Sequence, residues 1–301
     1  MSISWTGLYP ALWTATDASG RADLAAVADQ VRFIRRAGAD GVMALGSTGE
    51  FVFLDVATRR QVLQVVAETA PGWKLIANCS DIQPRVVAEL GAHARAVGAH
   101  AVSLLPPWYF ASNDEDVVEF IVRGAEASGL PLMIYNFPER TGIRLSLETV
   151  AAICDRVPVV ALKQSGAEFA YHRELASLAR EKAFTLITGA DTRVAEAFAL
   201  GARGVVSGLS NAVPEPVLEV LRAAERGQPE AGALAQSRLE EVIRSIAGLP
   251  FPLDVAAVMK ARGRETGVVK QVLSAPTQRR FLAAVRALKA AMASWGWDAK
   301  A

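Results

Sequence analysis

The chain has few of the residues that build metal sites and cross-linked scaffolds. It contains two cysteines, Cys79 and Cys154, far apart in sequence. That argues against a disulfide framework and against a cysteine metal site. Its three histidines, His93, His100 and His172, fall on helices or at a strand start. They lack the spacing of metal ligands, so no metal is expected. Charge of one sign is also missing: Lys+Arg 32 against Asp+Glu 31 leaves a net charge of +1. A nucleic-acid partner is therefore not expected. No apolar run approaches the ~18 residues that read as a membrane span. The N-terminal "MSISWTGLYP" has no basic stretch followed by an apolar one. That excludes a recognisable secretory signal and makes a cytoplasmic location the expectation. No G-x-G-x-x-G turn follows the first apolar run, which weakens the case for a doubly wound, nucleotide-binding sheet.

What is present is alternation. Short apolar runs, "GLYPALWTA", "GVMALGS", "KLIANCS", "AVSLLPP", "LPLMIYNF", "VVALKQS", "FTLITGA" and "GVVSGLS", are separated by amphipathic stretches such as "DLAAVADQVRFIRRAG" and "PRVVAELGAHARAVGAH". Continuous apolar strands joined by helix-periodic segments indicate βαβ units on a parallel sheet. Eight such runs fit a closed (βα)₈ barrel, which uses about 250 residues as one domain. The chain has 301 residues and is 51% hydrophobic, enough for such a core. After Ser210 the pattern changes to helices. One is expected from Pro214 to about Gly227, then "EAGALAQSRLEEVIRSIAG" and "TQRRFLAAVRALKAAMASW", with "LPFPLD" as a break between them. The expected organisation is a barrel over residues 1–225 and a helical C-terminal extension over 226–301, packed on the barrel.

In such barrels reactive groups sit at the C-terminal ends of strands. "VVALKQSGAE" places Lys163 inside an apolar run, three residues from its polar end. Lysine is seldom buried without a reason. An apolar cavity favours the neutral amine over the ammonium, and a neutral amine attacks ketones. A structural lysine paired with a buried carboxylate fits the same position. Tyr135 ends the fifth run, where its phenol would relay protons to a neighbouring amine or meet a backbone carbonyl. Arg140 follows in the loop and suits bidentate binding of a carboxylate, or a place on the surface. In "ALGSTGEF", Gly46 and Gly49 permit a sharp turn and close approach, while Ser47 and Thr48 offer hydroxyls and amides to a carboxylate. Glu50 is expected to hold this loop by accepting local N–H groups. Thr14, at the end of the first run, is a candidate for a hydroxyl relay. Tyr109, in "LLPPWYFASNDED", reads as an exposed aromatic at an interface. Gly189, Ser207 and Gly208 suit the floor or wall of a compact pocket.

Taken in order, "GSTGEF", "YNFPERTG", "ALKQSG" and "GARGVVSGLSN" resemble the dihydrodipicolinate synthase / N-acetylneuraminate lyase family of class I, pyruvate-dependent aldolases. The resemblance runs from about Leu8 to Ser210, with weaker agreement through "LPFPLDVAAVMKARG". It implies that Lys163 forms a Schiff base with pyruvate or a related 2-keto acid and that no cofactor is needed. It also implies that Tyr135 relays protons over the imine. Ser47 stands where such enzymes carry a catalytic threonine. Thr48 and the loop amides would hold the pyruvyl carboxylate. Tyr109 would reach a neighbouring subunit's site, implying a homo-oligomer, dimer or tetramer. Arg140 matches the arginine that binds the second substrate's carboxylate in synthase-like members, and sialic acid lyases generally lack it.

Four departures from the family's pattern leave the second substrate open. "TATD" replaces a Thr-Pro-Phe sequence, and "IANCSDIQ" replaces a Gly-rich turn. Trp108 precedes Tyr109 where the synthases usually have tyrosine, and "KQSG" is closer to the lyase branch. The implied activity is a Schiff-base lyase or aldolase acting on a 2-keto acid. A 4-hydroxy-tetrahydrodipicolinate synthase and a 2-keto-3-deoxy sugar acid aldolase or dehydratase are its narrower forms. A non-catalytic 2-keto acid sensor on the same fold is the alternative outside enzymes. A metal-dependent barrel aldolase would need inward histidine and carboxylate ligands, which the strand ends do not offer.

Overall fold

The computed structural model describes residues 3–297; residues 298–301 of the expected extension lie outside the described residues. Eight parallel strands follow one another: β1 (Gly7–Pro10), β2 (Gly41–Ala44), β3 (Lys74–Asn78), β4 (Ala101–Leu104), β5 (Leu132–Asn136), β6 (Val159–Gln164), β7 (Thr185–Thr188) and β8 (Gly204–Ser207). Each pairs with its sequence neighbour, and β1 also pairs with β8. The ring closes between β1 and β2 through a parallel bridge, Ala11 to Met43, with Leu12 N donating to Met43 O at 2.9 Å. The result is the expected (βα)₈ barrel with C-terminal helices.

The apolar periodicity of the linking segments explains the outer layer. The helix Leu24–Arg36 buries Val27, Val31 and Ile34 at helical spacing and caps its N-terminus with Asp23, whose carboxylate accepts from Ala26 N. The strands between are buried on both faces, as a parallel sheet under helices requires. One irregularity matters for the site. Leu132 pairs with Val159, but Met133 pairs with Ala161, so β6 carries one extra residue against β5. Beyond that bulge Tyr135 lies beside Lys163. Without it, counting on from Leu132, Tyr135 would face Leu162, and a one-residue slip reverses which face a side chain takes.

Beyond β8 the helices Pro214–Glu225, Pro229–Ser245, Leu253–Ala261 and Ala275–Ser294 follow. Leu253–Ala261 differs from expectation, since "LPFPLD" reads as a break with no helix behind it. Seven of this short helix's nine residues are buried, so it shows no polar face and no amphipathic signal. Its residues share a hydrophobic cluster with Leu8 and Val205 of the barrel and with Leu239 and Leu288 of the other helices. The extension is thus bonded into the barrel wall rather than hung beside it. Between its helices the segment after Ala261 returns to the barrel mouth. Trp13 Nε1 donates to Thr266 O at 2.9 Å, and Val268 N donates to Thr16 O at 2.9 Å.

Candidate active site

The site forms at the C-terminal ends of β5, β6 and β7. Lys163 is 5% exposed, and its Nζ lies 3.9 Å from the centre of the Tyr135 ring. Among the described residues it has neither an ion pair nor a hydrogen bond. The Tyr135 hydroxyl is 3.3 Å from Ser47 Oγ. Amine, phenol and serine hydroxyl therefore form a contiguous row drawn from β6, β5 and the loop after β2. Gly189, at the end of β7, leaves the room for this. A Cβ there would stand 2.9 Å from Lys163 Cε and clash with Ser165 Oγ.

The neighbouring residues are fixed by polar contacts on the far side of the strands. Gln164 accepts from Asn136 Nδ2 at 2.7 Å, and Leu145 N donates to Asn136 Oδ1 at 3.2 Å. With Gln164 and Asn136 held behind the sheet, alternation sends Lys163 and Tyr135 inward. The loop after β2 starts from Leu45, whose φ of 60° is left-handed. Its carbonyl accepts from Asn78 Nδ2 at 2.7 Å, and Asn78 Oδ1 in turn accepts from Ser80 Oγ at 2.8 Å. "IANCSD" is thus a brace for the Ser47 loop.

A cavity of about 400 Å³ opens above Lys163 and is lined by Thr48, Tyr135, Arg140, Gly189, Asp191 and Asp254, among others. A second, about 230 Å³, adjoins it and includes Ser47 and Trp108. Arg140 and Phe251 line both. The Arg140 guanidinium is held between aromatic rings, 5.6 Å from the centre of Phe137 and 5.2 Å from Phe251. Among the described residues it has no carboxylate partner, so its donors face the cavity. Gly208 borders Thr48: a Cβ there would lie 3.2 Å from Thr48 Oγ1.

Ser207, Gly46, Thr14 and Glu50 are placed differently from expectation, whereas Tyr109 is exposed and His172 lies behind a strand, without metal-ligand neighbours among the described residues. Ser207 is fully buried behind the cavity wall, where Val206 and Gly208 line the space, and its Oγ accepts from Ser210 N at 2.9 Å. Alternation along β8 is the reason. Gly46 lines neither cavity, and a Cβ there would make ordinary contact with Met43. The close approach belongs to Gly49, whose Cβ would lie 2.8 Å from Leu12 O. Thr14 Oγ1 is buried without a hydrogen-bond partner among the described residues, so it joins no relay in this arrangement. Tyr109 lies outside both cavities, 84% exposed, at a left-handed φ of 82°, its ring edge-on to Phe110. Glu50 does not accept local N–H groups. Its Oε2 accepts from Lys270 Nζ at 2.7 Å, from the segment after Ala261. His172 is buried behind β7, with Nε2 3.1 Å from Thr188 Oγ1. Burial holds its imidazole below the usual range.

Two carboxyl groups went unremarked in the sequence. Asp191 sits in "TGADT", a strand-end motif in which only the glycine stood out. Its Oδ2 accepts from Gly208 N and Leu209 N, both at 3.1 Å, while Oδ1 has no partner among the described residues. Burial raises its pKa, against the Ser207 hydroxyl, those two amides and the nearby Lys163. Asp254 is pushed up to about 6 by burial, with the charge on Asp191 adding to it and the Val255 amide and the Arg140 charge opposing it. It begins the unexpected helix Leu253–Ala261, and no sequence signal marked it.

The parallel barrel with an inward lysine beside a phenol defines a class, the lysine-bearing barrel lyases, and comparison with known proteins specifies the family. Residues 4–299 match the Dihydrodipicolinate synthetase family. The chain is 30% identical over 268 residues to an uncharacterized DapA-like lyase of Halobacterium salinarum, covering 89% of this chain and 88% of that one. It is 31% identical over 269 residues to the 4-hydroxy-tetrahydrodipicolinate synthase of Anaeromyxobacter dehalogenans, covering 89% and 90%. The crystal structure of dihydrodipicolinate synthase from Aquifex aeolicus superposes with a TM-score of 0.88 at 24% identity, over 99% of this chain and all of that one. The chain belongs to the Dihydrodipicolinate synthetase family and is a lyase of the class I aldolase type.

Proposed function

We propose that the chain forms or breaks a carbon–carbon bond next to the ketone of pyruvate or a related 2-keto acid, through a Schiff base on Lys163. The observation that carries this is the Lys163 amine, buried and with no ion pair or hydrogen bond among the described residues, in contact with the Tyr135 ring whose hydroxyl meets Ser47 Oγ. The amine adds to the ketone carbon to give a carbinolamine. The oxygen leaves as water, and its protons pass along Tyr135 and Ser47. The protonated imine then draws electrons from the adjacent C–H or C–C bond. Losing a proton gives the enamine, which attacks an aldehyde; run backwards, the same steps release one. The lysine itself supplies the electron sink, so this chemistry calls for no metal or organic cofactor.

Thr48 and the amides of its loop hold the keto acid's carboxylate. Gly189 and Gly208 keep the cavity open at the lysine. Arg140, with no ion pair among the described residues and stacked between Phe137 and Phe251, takes an acidic group on the aldehyde partner. This supports an acidic partner, as in the synthase relative, and a 2-keto-3-deoxy sugar acid fits the same arginine. Tyr109, exposed on a strained backbone, completes the relay of a second copy of the chain, making the working unit a homo-oligomer, dimer or tetramer. No helix of the described residues is long and apolar enough to cross a membrane. A cytoplasmic location is part of the proposal.

The test is reductive trapping. Incubation with pyruvate and borohydride should leave an adduct on Lys163 by peptide mass spectrometry. Absence of an adduct with pyruvate and with a panel of 2-keto acids removes the mechanism. Turnover, measured as pyruvate release from 2-keto-3-deoxy acids or as condensation with aspartate semialdehyde, separates an enzyme from a 2-keto acid sensor.

A further inference from the structure

We propose that Lys270, which belongs to the C-terminal extension and lines neither cavity itself, is a positioning residue for the carboxylate-binding loop; the proposal rests on the reading of the site above. The Lys270 side chain is 6% exposed and Glu50's is 5%. Its Nζ donates to Glu50 Oε2 at 2.7 Å and to Thr14 O at 2.8 Å, and lies 5.2 Å from the centre of the Trp13 ring. These three contacts tie the extension to the ends of β1 and β2 at one point. The segment carrying Lys270 is itself anchored by Thr266 O and Val268 N on the β1 loop.

Glu50 matters because of where its backbone stands. It has a left-handed φ of 55°, and its N donates to Ser47 O at 3.1 Å, closing the turn that presents Ser47 and Thr48. A non-glycine residue keeps such a φ only where surrounding contacts impose it. Gly49, next to it, is wedged against Leu12 O. The turn therefore has a fixed floor on β1 and a fixed tether on Lys270. Removing the tether frees Glu50 to relax, and the hydroxyl and amides at residues 47 and 48 move with it. Lys163 and Arg140 stand on other elements and do not, and Tyr135 stays on β5 while its hydroxyl loses its fixed contact with Ser47 Oγ. The effect should fall first on capture of the keto acid, with the Ser47 end of the relay displaced alongside it, and leave the lysine amine itself in place.

The experiment compares the unmodified chain with Lys270→Met, Lys270→Arg and the double variant Lys270→Met/Glu50→Gln. Borohydride trapping on Lys163 as a function of pyruvate concentration gives an apparent dissociation constant for each. Melting temperature and amide hydrogen exchange of residues 46–53 are read in parallel. Lys270→Met should raise the apparent constant roughly tenfold, the size expected when a remote contact misplaces a binding group. Lys270→Arg, whose guanidinium can reach both acceptors, should stay within about twofold of the unmodified chain. The double variant removes both buried charges, so it should recover melting temperature while keeping the raised constant. A Lys270→Met trapping curve that superposes on the unmodified one overturns the proposal. So does an arginine variant that fails to restore binding, or a double variant whose constant returns along with its stability. If the unmodified chain traps no 2-keto acid, the reading of the site fails instead. Exchange at residues 46–53 then decides alone: faster in Lys270→Met and restored in Lys270→Arg upholds the tether, and unchanged exchange rejects it.

Discussion

Two lysines are buried to nearly the same degree in different parts of the barrel mouth. Lys270 comes from the extension and meets a carboxylate and a carbonyl. Lys163 comes from β6 and meets the face of a tyrosine, with no ion-pair partner among the described residues. A buried ammonium without a counter-charge is costly, and a buried pair largely offsets that cost. The paired lysine is therefore built to hold a loop. The unpaired one stands open to a carbonyl carbon. Burial alone does not distinguish structure from chemistry; the partner does.

The largest effect that tests this contrast is Lys163→Met. Trapping should vanish, and turnover should fall by on the order of 10⁴-fold or more, as when a covalent nucleophile is removed. Its melting temperature should hold or rise. Lys270→Met should do the opposite, costing about 3–5 kcal/mol by stranding Glu50 as an unpaired buried charge. Equal destabilisation of the two variants in denaturant titrations would erase the contrast. Tyr135→Phe comes next. It keeps the ring under the amine but removes the hydroxyl near Ser47, so adduct formation should slow by about 10²–10⁴-fold in single-turnover trapping. A variant trapping at the unmodified rate would take Tyr135 out of the relay.

Arg140→Ala sharpens the division of labour within the cavity. An ionic hydrogen-bonding contact of about 1.5–3 kcal/mol corresponds to a rise in the acidic partner's KM of roughly 10- to 100-fold. Pyruvate trapping on Lys163 should be unaffected. Loss of trapping instead would place Arg140 on the keto acid. The smallest expected effect belongs to Asp254. Its folded carboxyl holds a proton up to about pH 6, whereas the unfolded chain releases it near the ordinary 3.8. Between those values the unfolded state binds fewer protons, so stability falls as pH rises from 4 to 6. Asp254→Asn should remove that fall, gaining at most about 3 kcal/mol at pH 7 and nothing near pH 3. Melting curves across that range check it; a parallel pH dependence in both proteins would show that Asp254 titrates normally.

Much of this was legible along the chain. The strands β1 to β8 announce themselves as apolar runs because both faces are covered, and the linking helices by their spacing of Val27, Val31 and Ile34. Lys163, Tyr135 and Arg140 stand out because polar groups at apolar strand ends are unusual. Less legible were residues whose place depends on which face of a strand they take. Ser207 and Gly208 are adjacent in sequence, yet one is behind the wall and the other lines the cavity. The helix Leu253–Ala261 is not legible because a helix with seven of nine residues buried has no periodic polar face, and Asp254 is hidden with it.

The sequence by itself determined the parallel barrel, the strand that carries the amine and the chemical types gathered at its mouth. These follow from local patterns of apolar and polar residues that physics reads within one segment at a time. Only the tertiary structure decided that Tyr135 stands beside Lys163, since one extra residue in β6 shifts their register. It alone also joined Glu50 to Lys270, 220 residues further along. Register and long-range ion pairing depend on how separate segments pack together, and no single stretch of chain contains that information.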